Sequence, residues 1–173
     1  MSDPAPDDRS QAAGPQAALA RPPRKTAIKA RCIATKEALS GVRRAGFGLL
    51  ALANLIWGGW ALLAPAHFFR TFPGFGLHWT RAYPPYNQHL IFDLGATLLT
   101  LGVLLGVAAI VDNRAVSWVV AAGVGTFGTL HFGYHALHAG TMGGADRGLS
   151  LLSLVGGAFL PPALAATHHL RRS

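Results

Sequence analysis

Residues 90–137 read LIFDLGATLLTLGVLLGVAAIV, then DNR, then AVSWVVAAGVGTFGTLHFGYHAL: two apolar runs joined by Asp112-Asn113-Arg114. Each run is long enough to cross a hydrocarbon core about 30 Å thick, which takes about 20 helical residues at 1.5 Å each. A three-residue polar connection allows only a reversal, so the two helices are predicted to be antiparallel neighbours. The same test finds two further runs, giving spans of approximately 45–64, 90–111, 115–137 and 148–167. The predicted fold is all-α: a four-helix transmembrane bundle over residues 45–170, preceded by a disordered basic N-terminal tail over 1–44.

Composition supports the membrane reading. Of 173 residues 51% are hydrophobic and 13% charged, against about 25% charged in soluble proteins. The chain carries 15 Lys and Arg against 7 Asp and Glu, but most of these cations precede Ala45, so the surplus describes a tail and not a nucleic-acid surface. That tail is rich in Pro, Ala and charge, with too little periodic apolar content to offset the entropy of ordering. Within it, Lys25 to Leu39 suits either a short basic helix on anionic lipid headgroups or a solvated strand of tail. The run 45–64 is too long for the apolar core of a cleaved signal peptide, and further spans follow it. The single cysteine, Cys32, lies among basic residues with no second thiol and reads as incidental.

Cytoplasmic flanks of membrane proteins carry an excess of Lys and Arg. One side of the bundle has Lys25, Lys29, Arg31, Lys36, Arg43, Arg44, Arg114, Arg171 and Arg172; the other has Arg70, Arg81 and Arg147. The expected placement is the cell membrane, multi-pass, with both termini cytoplasmic. The first connection, Pro65 to His89, then faces outside and carries Phe68, Phe69, Phe72, Phe75, Trp79, Tyr83 and Tyr86, aromatic rings of the kind that settle at lipid headgroups.

Helices pack in lipid where small residues let backbones approach, and Gly102 to Gly106 is a small-xxx-small pattern. Gly123, Gly125 and Gly128 have the letters of a dinucleotide fingerprint, but inside an apolar span, with no preceding strand, they read as a packing face. Pro161-Pro162 is expected to kink the fourth span.

The polar residues inside the spans carry the functional information, because ionisable groups there are costly and face the bundle interior. Asp93 is the only acid within a span, and His89 lies four residues before it on the same helical face. On the third span His131, His135 and His138 share a face at i, i+4, i+7. The hairpin turn is expected to bring the two stripes to one level near the outer leaflet.

The chain here resembles a group of small four-helix membrane proteins of actinobacteria that share two motifs, reading PYNQHLIFDLG over 85–95 and HFGYHALH over 131–138. The likeness covers roughly 47–138. The first motif of that group usually has an acid where this chain has Gln88 and a basic residue where it has Phe92. The resemblance implies a fold and the same polar positions, and no activity. The first span, ending at Pro65 and Phe68, is also similar to DoxX-type four-helix proteins.

Four uses of the cluster stay open. His89, Asp93, His131, His135 and His138 could ligate a transition metal; two imidazoles could hold a haem iron, with His138 as a propionate partner. Asp93 and His89 could handle protons in a redox or transport step. All five could instead be hydrogen-bond glue in a structural or accessory protein, alone, as a homo-oligomer or within a membrane complex. Neither a nucleophile with its base nor paired carboxylates is present, and the one Glu, Glu37, lies in the tail, so hydrolysis and carboxylate-rich di-iron chemistry have no support.

Overall fold

The computed structural model describes residues 24–138 and 142–171. The chain divides into two compact units, Met1–Ala34 and Thr35–Ser173. Helix α1 covers Arg24–Leu63, α2 Pro65–Thr71, α3 Gln88–Val111, α4 Arg114–His138 and α5 Gly144–Ala166. Between α2 and α3 lie two short antiparallel strands, β1 (Pro73–Gly74) and β2 (Leu77–His78), and a single 3-10 turn, Thr80–Ala82. Helices α1, α3, α4 and α5 are each long and apolar enough to cross a membrane, so the protein is a four-helix transmembrane bundle.

One boundary differs from expectation. Helix α1 begins at Arg24, so residues 24–44 of the expected disordered tail are helical. The stretch is dense in Ala, Lys, Arg, Leu and Glu, which have high helix propensity, and a helix already nucleated extends at little cost. Residues 1–23 of that tail lie outside the described residues.

The hairpin turn forms as its sequence demands. Asp112 caps α3 in the left-handed conformation, with φ 47° and ψ 40°, a geometry that short polar side chains tolerate. Asn113 starts α4, its Oδ1 accepting from the amides of Ala115 at 2.8 Å and Val116 at 3.3 Å.

In lipid, apolar burial gives little drive for helices to associate, so close packing and polar contacts decide the arrangement. Two seams are dry and tight. A Cβ at Gly58 on α1 would stand 2.7 Å from the Leu99 nitrogen on α3, and one at Gly102 would stand 2.8 Å from the side chain of Leu55. On the other seam, a Cβ at Gly128 of α4 would stand 2.8 Å from Ala158 Cα of α5. Gly125 joins this seam, whereas Gly123 meets nothing there, so the expected packing face holds for two of its three glycines. Gly106 is looser than Gly102, with a Cβ 4.0 Å from Ala51. Pro161 and Pro162 are both accommodated inside α5.

At the end carrying the α3–α4 turn all four long helices meet. Phe47 and Ala51 of α1, Leu105 and Ala108 of α3, Val120, Ala121 and Val124 of α4 and Ala165 of α5 form one buried cluster. At the opposite end, near the long loop, the buried cluster contains only Ala61, Phe68 and Ile91, from α1, α2 and α3. Helices α4 and α5 take no part in it, and the space between the two seams is open.

Candidate functional site: a membrane cavity with one polar end

That open space is a cavity of about 620 Å³, walled by α1, α2, the following loop, α3, α4 and α5, within the 300–1,000 Å³ typical of small-molecule sites. Its floor is aliphatic, with Leu98, Leu101, Leu105 and Val124. Its loop-side wall is aromatic, because Phe68, Phe69, Phe72, Trp79 and Tyr83 turn inward. Within the connection, Phe68 is fully buried, while Phe75 at the hairpin tip is fully exposed. Hydrogen bonds fold the loop down: Trp79 N donates to Phe72 O at 2.8 Å, and Thr80 Oγ1 to Phe69 O at 2.8 Å. Histidines serve as further ties, with Trp60 Nε1 donating to His67 Nδ1 at 3.0 Å and His78 Nδ1 lying 2.9 Å from Arg70 O.

The five expected site residues separate into two groups. Asp93, His131 and His135 all line the cavity. On α4 the rings form a continuous ladder: Phe127 stacks on His131 at 5.4 Å between centroids, His131 meets His135 edge-on at 4.7 Å, and His135 meets Tyr83 at 5.0 Å. Tyr83 Oη and His135 Nδ1 are hydrogen-bonded at 2.8 Å. Burial, helped by the nearby Tyr134 phenol, pushes the Tyr83 hydroxyl above its usual 10.0, so it keeps its proton at neutral pH. His89 and His138 do not line the cavity. His89 Nε2 lies 3.4 Å from Asp93 Oδ2, but its side chain is 85% exposed. His138 bonds its own helix, Nδ1 to Tyr134 O at 2.9 Å, and stacks on Tyr134. Among the described residues no three His, Cys, Asp or Glu side chains converge closely enough to hold a metal ion. Asp93 and the imidazole pair border the same cavity.

The turn end holds a polar group that the sequence reading passed over. Arg43 is completely buried and grips Asp112 with two bonds, Nε to Oδ1 at 2.6 Å and Nη2 to Oδ2 at 2.8 Å. Ser40 Oγ donates to Asp112 Oδ2 at 2.6 Å, and Arg43 Nη1 donates to Thr167 Oγ1 at 3.2 Å. His168 Nε2 approaches Asp112 Oδ1 to 3.9 Å and lies 3.1 Å from Ser117 Oγ. Burial alone would raise the Asp112 carboxyl, but the bonds from Arg43 and Ser40 and the charges of Arg43 and His168 outweigh it and hold the group below its usual 3.8. Arg43 had the look of an ordinary cytoplasmic flank. Its signal was positional: it lies on the stripe of Phe47 and Ala51, one and two turns along the buried face of α1.

No known family, curated protein or solved structure matches this chain. What the site can do rests on its own chemistry: an apolar chamber with one acid, two imidazoles and two phenols gathered at one end, suited to holding a molecule that is mostly apolar with a polar head.

Proposed function

We propose that this protein is an accessory membrane protein that binds one small lipophilic molecule in the cavity, with both termini in the cytoplasm and the polar end of the cavity in the outer leaflet. The observation that carries the reading is the 620 Å³ chamber whose apolar floor leads to Asp93, His131, His135 and Tyr83. The orientation follows the bias of Lys and Arg. Nine Lys and Arg flank the inner side against three on the outer. The likeness to the actinobacterial group fits the same reading, since Asn87, Asp93, His131 and His135 of its two motifs all border the cavity.

The test is extraction and mass spectrometry of protein purified into nanodiscs. One small molecule is expected at near-stoichiometric amount, and Gly157→Leu should exclude it. Gly157 lines the cavity, and a Cβ there meets no atom within 4 Å, so a larger side chain has room to enter. An empty protein that is indifferent to Gly157→Leu would refute the reading.

A second reading keeps His131 and His135 as a metal ligand pair, favoured by their one-turn spacing on the cavity wall. Metal analysis tests it: bound metal should be lost in His131→Ala and in His135→Ala.

A further inference from the structure

The charged groups of the cavity are unevenly chosen. Its lining contains no Lys and no Arg among the described residues, and one carboxylate, Asp93. Anionic heads such as phosphate or a fatty-acid carboxylate are recognised above all by Arg and Lys; among the described residues the neutral donors Asn54, Asn87 and Trp79 border this space but no fixed cation does, and Asp93 would repel an anion. The loop-end walls instead present Trp57, Phe72, Trp79, Tyr83, Phe127 and Tyr134, rings whose faces carry negative charge and attract cations.

Two carboxylates, Asp112 and Asp93, are differently occupied. Asp112 accepts three hydrogen bonds, two from Arg43 and one from Ser40, and its charge is met by the Arg43 guanidinium. Asp93 has His89 alone as a partner among the described residues, at 3.4 Å, and that imidazole is exposed. Thr97 Oγ1 bonds the Asp93 carbonyl at 2.9 Å and leaves its carboxylate free. The Asp93 side chain is 60% exposed and borders the cavity, where the described residues supply no Lys or Arg to meet its charge.

We infer that the cavity takes a lipophilic organic cation, whose positive centre sits between Asp93 and the aromatic rings while its apolar substituents fill the floor toward Leu101 and Leu105. This inference rests on reading the cavity as a small-molecule site and adds the charge of the occupant. The two imidazoles act as hydrogen-bonding and stacking groups: His135 is held by Tyr83 and His131 by Phe127.

Tetraphenylphosphonium and tetraphenylborate have the same shape and opposite charge, which makes them the discriminating probes. Binding to the full chain in nanodiscs is followed through quenching of tryptophan fluorescence, since Trp57 and Trp79 line the cavity. The phosphonium is expected to bind saturably and at least about tenfold more tightly than the borate. Asp93→Asn should weaken it by about tenfold or more, and Asp93→Glu should retain it. Gly157→Leu should block it. Equal or tighter binding of the borate, or an unchanged phosphonium affinity in Asp93→Asn, overturns the inference. If Asp93→Asn fails to fold, the comparison of the two probes on the unaltered chain still decides. Binding of the borate or of neutral triphenylmethanol that is at least as tight as that of the phosphonium, and that Gly157→Leu abolishes, would leave the cavity standing and remove the cation. Absence of binding by all three probes removes the cation outright, and with no co-purifying molecule it removes the cavity reading as well.

Discussion

The two ends of the bundle use polar residues in opposite ways. At the turn end the buried polar groups hold one another: Arg43, Asp112, Ser40 and Thr167 are bonded across α1, the turn and the end of α5, above a cluster drawn from all four long helices. At the loop end α4 and α5 stand apart from α1 and α3, and Asp93 faces a cavity with an exposed histidine as its partner. A saturated network closes a structure, because each member is held and none can take a new partner without loss. An unsaturated set in a chamber is what recognition of a ligand needs. The difference teaches that the number of ionisable residues in a span is less informative than whether their valences are filled.

The largest effect should come from the turn end. Asp112→Ala leaves the Arg43 guanidinium buried without its counter-charge, and the protein should lose about 3–5 kcal/mol, read as a lower thermal midpoint in detergent. Arg43→Met combined with Asp112→Asn should recover most of that loss, and a failure to recover would mean that the pair does more than neutralise itself. Next come the seams. Gly58→Val forces a side chain against the Leu99 backbone and should cost about 1–3 kcal/mol, whereas Gly157→Ala, facing open space, should stay within about 0.5 kcal/mol. Equal costs would mean that the cavity is not open.

Acid should then erode the turn end by degrees. Because the folded Asp112 carboxyl is held below its ordinary 3.8, its contribution is complete above that value and is lost as pH falls through the lower folded one. The denaturation midpoint should therefore fall on acidification below about pH 4, and Asp112→Asn should flatten that limb. The smallest effect belongs to the loop end, where Asp93→Asn should change stability by no more than about 0.5 kcal/mol. A loss of several kcal/mol there would make Asp93 structural glue after all and erase the contrast between the ends.

Much of this was legible residue by residue. The four spans, the Asp112-Asn113-Arg114 reversal and the tight face at Gly125 and Gly128 follow from hydropathy and local geometry, which neighbouring residues set for themselves. That Asp93, His131 and His135 would border one space was expected from counting along two helices that the turn makes antiparallel, and all three line the cavity. The cavity itself was not legible, because its walls also come from α1, α2, the following loop and α5, which lie outside the hairpin. His89 and His138 keep the predicted spacing but sit beyond the cavity, since a shared helical face does not fix how deep a residue lies.

The sequence alone determined a membrane bundle and its reversals, because apolar length, turn residues and helical period are local quantities that need no partner. Only the tertiary structure decided that Arg43 and Asp112, 69 residues apart, neutralise each other in the interior while Asp93 is left facing a cavity. Whether a charge is satisfied depends on what the rest of the chain brings within about 3 Å of it, and that is a property of the fold, invisible in the residue itself.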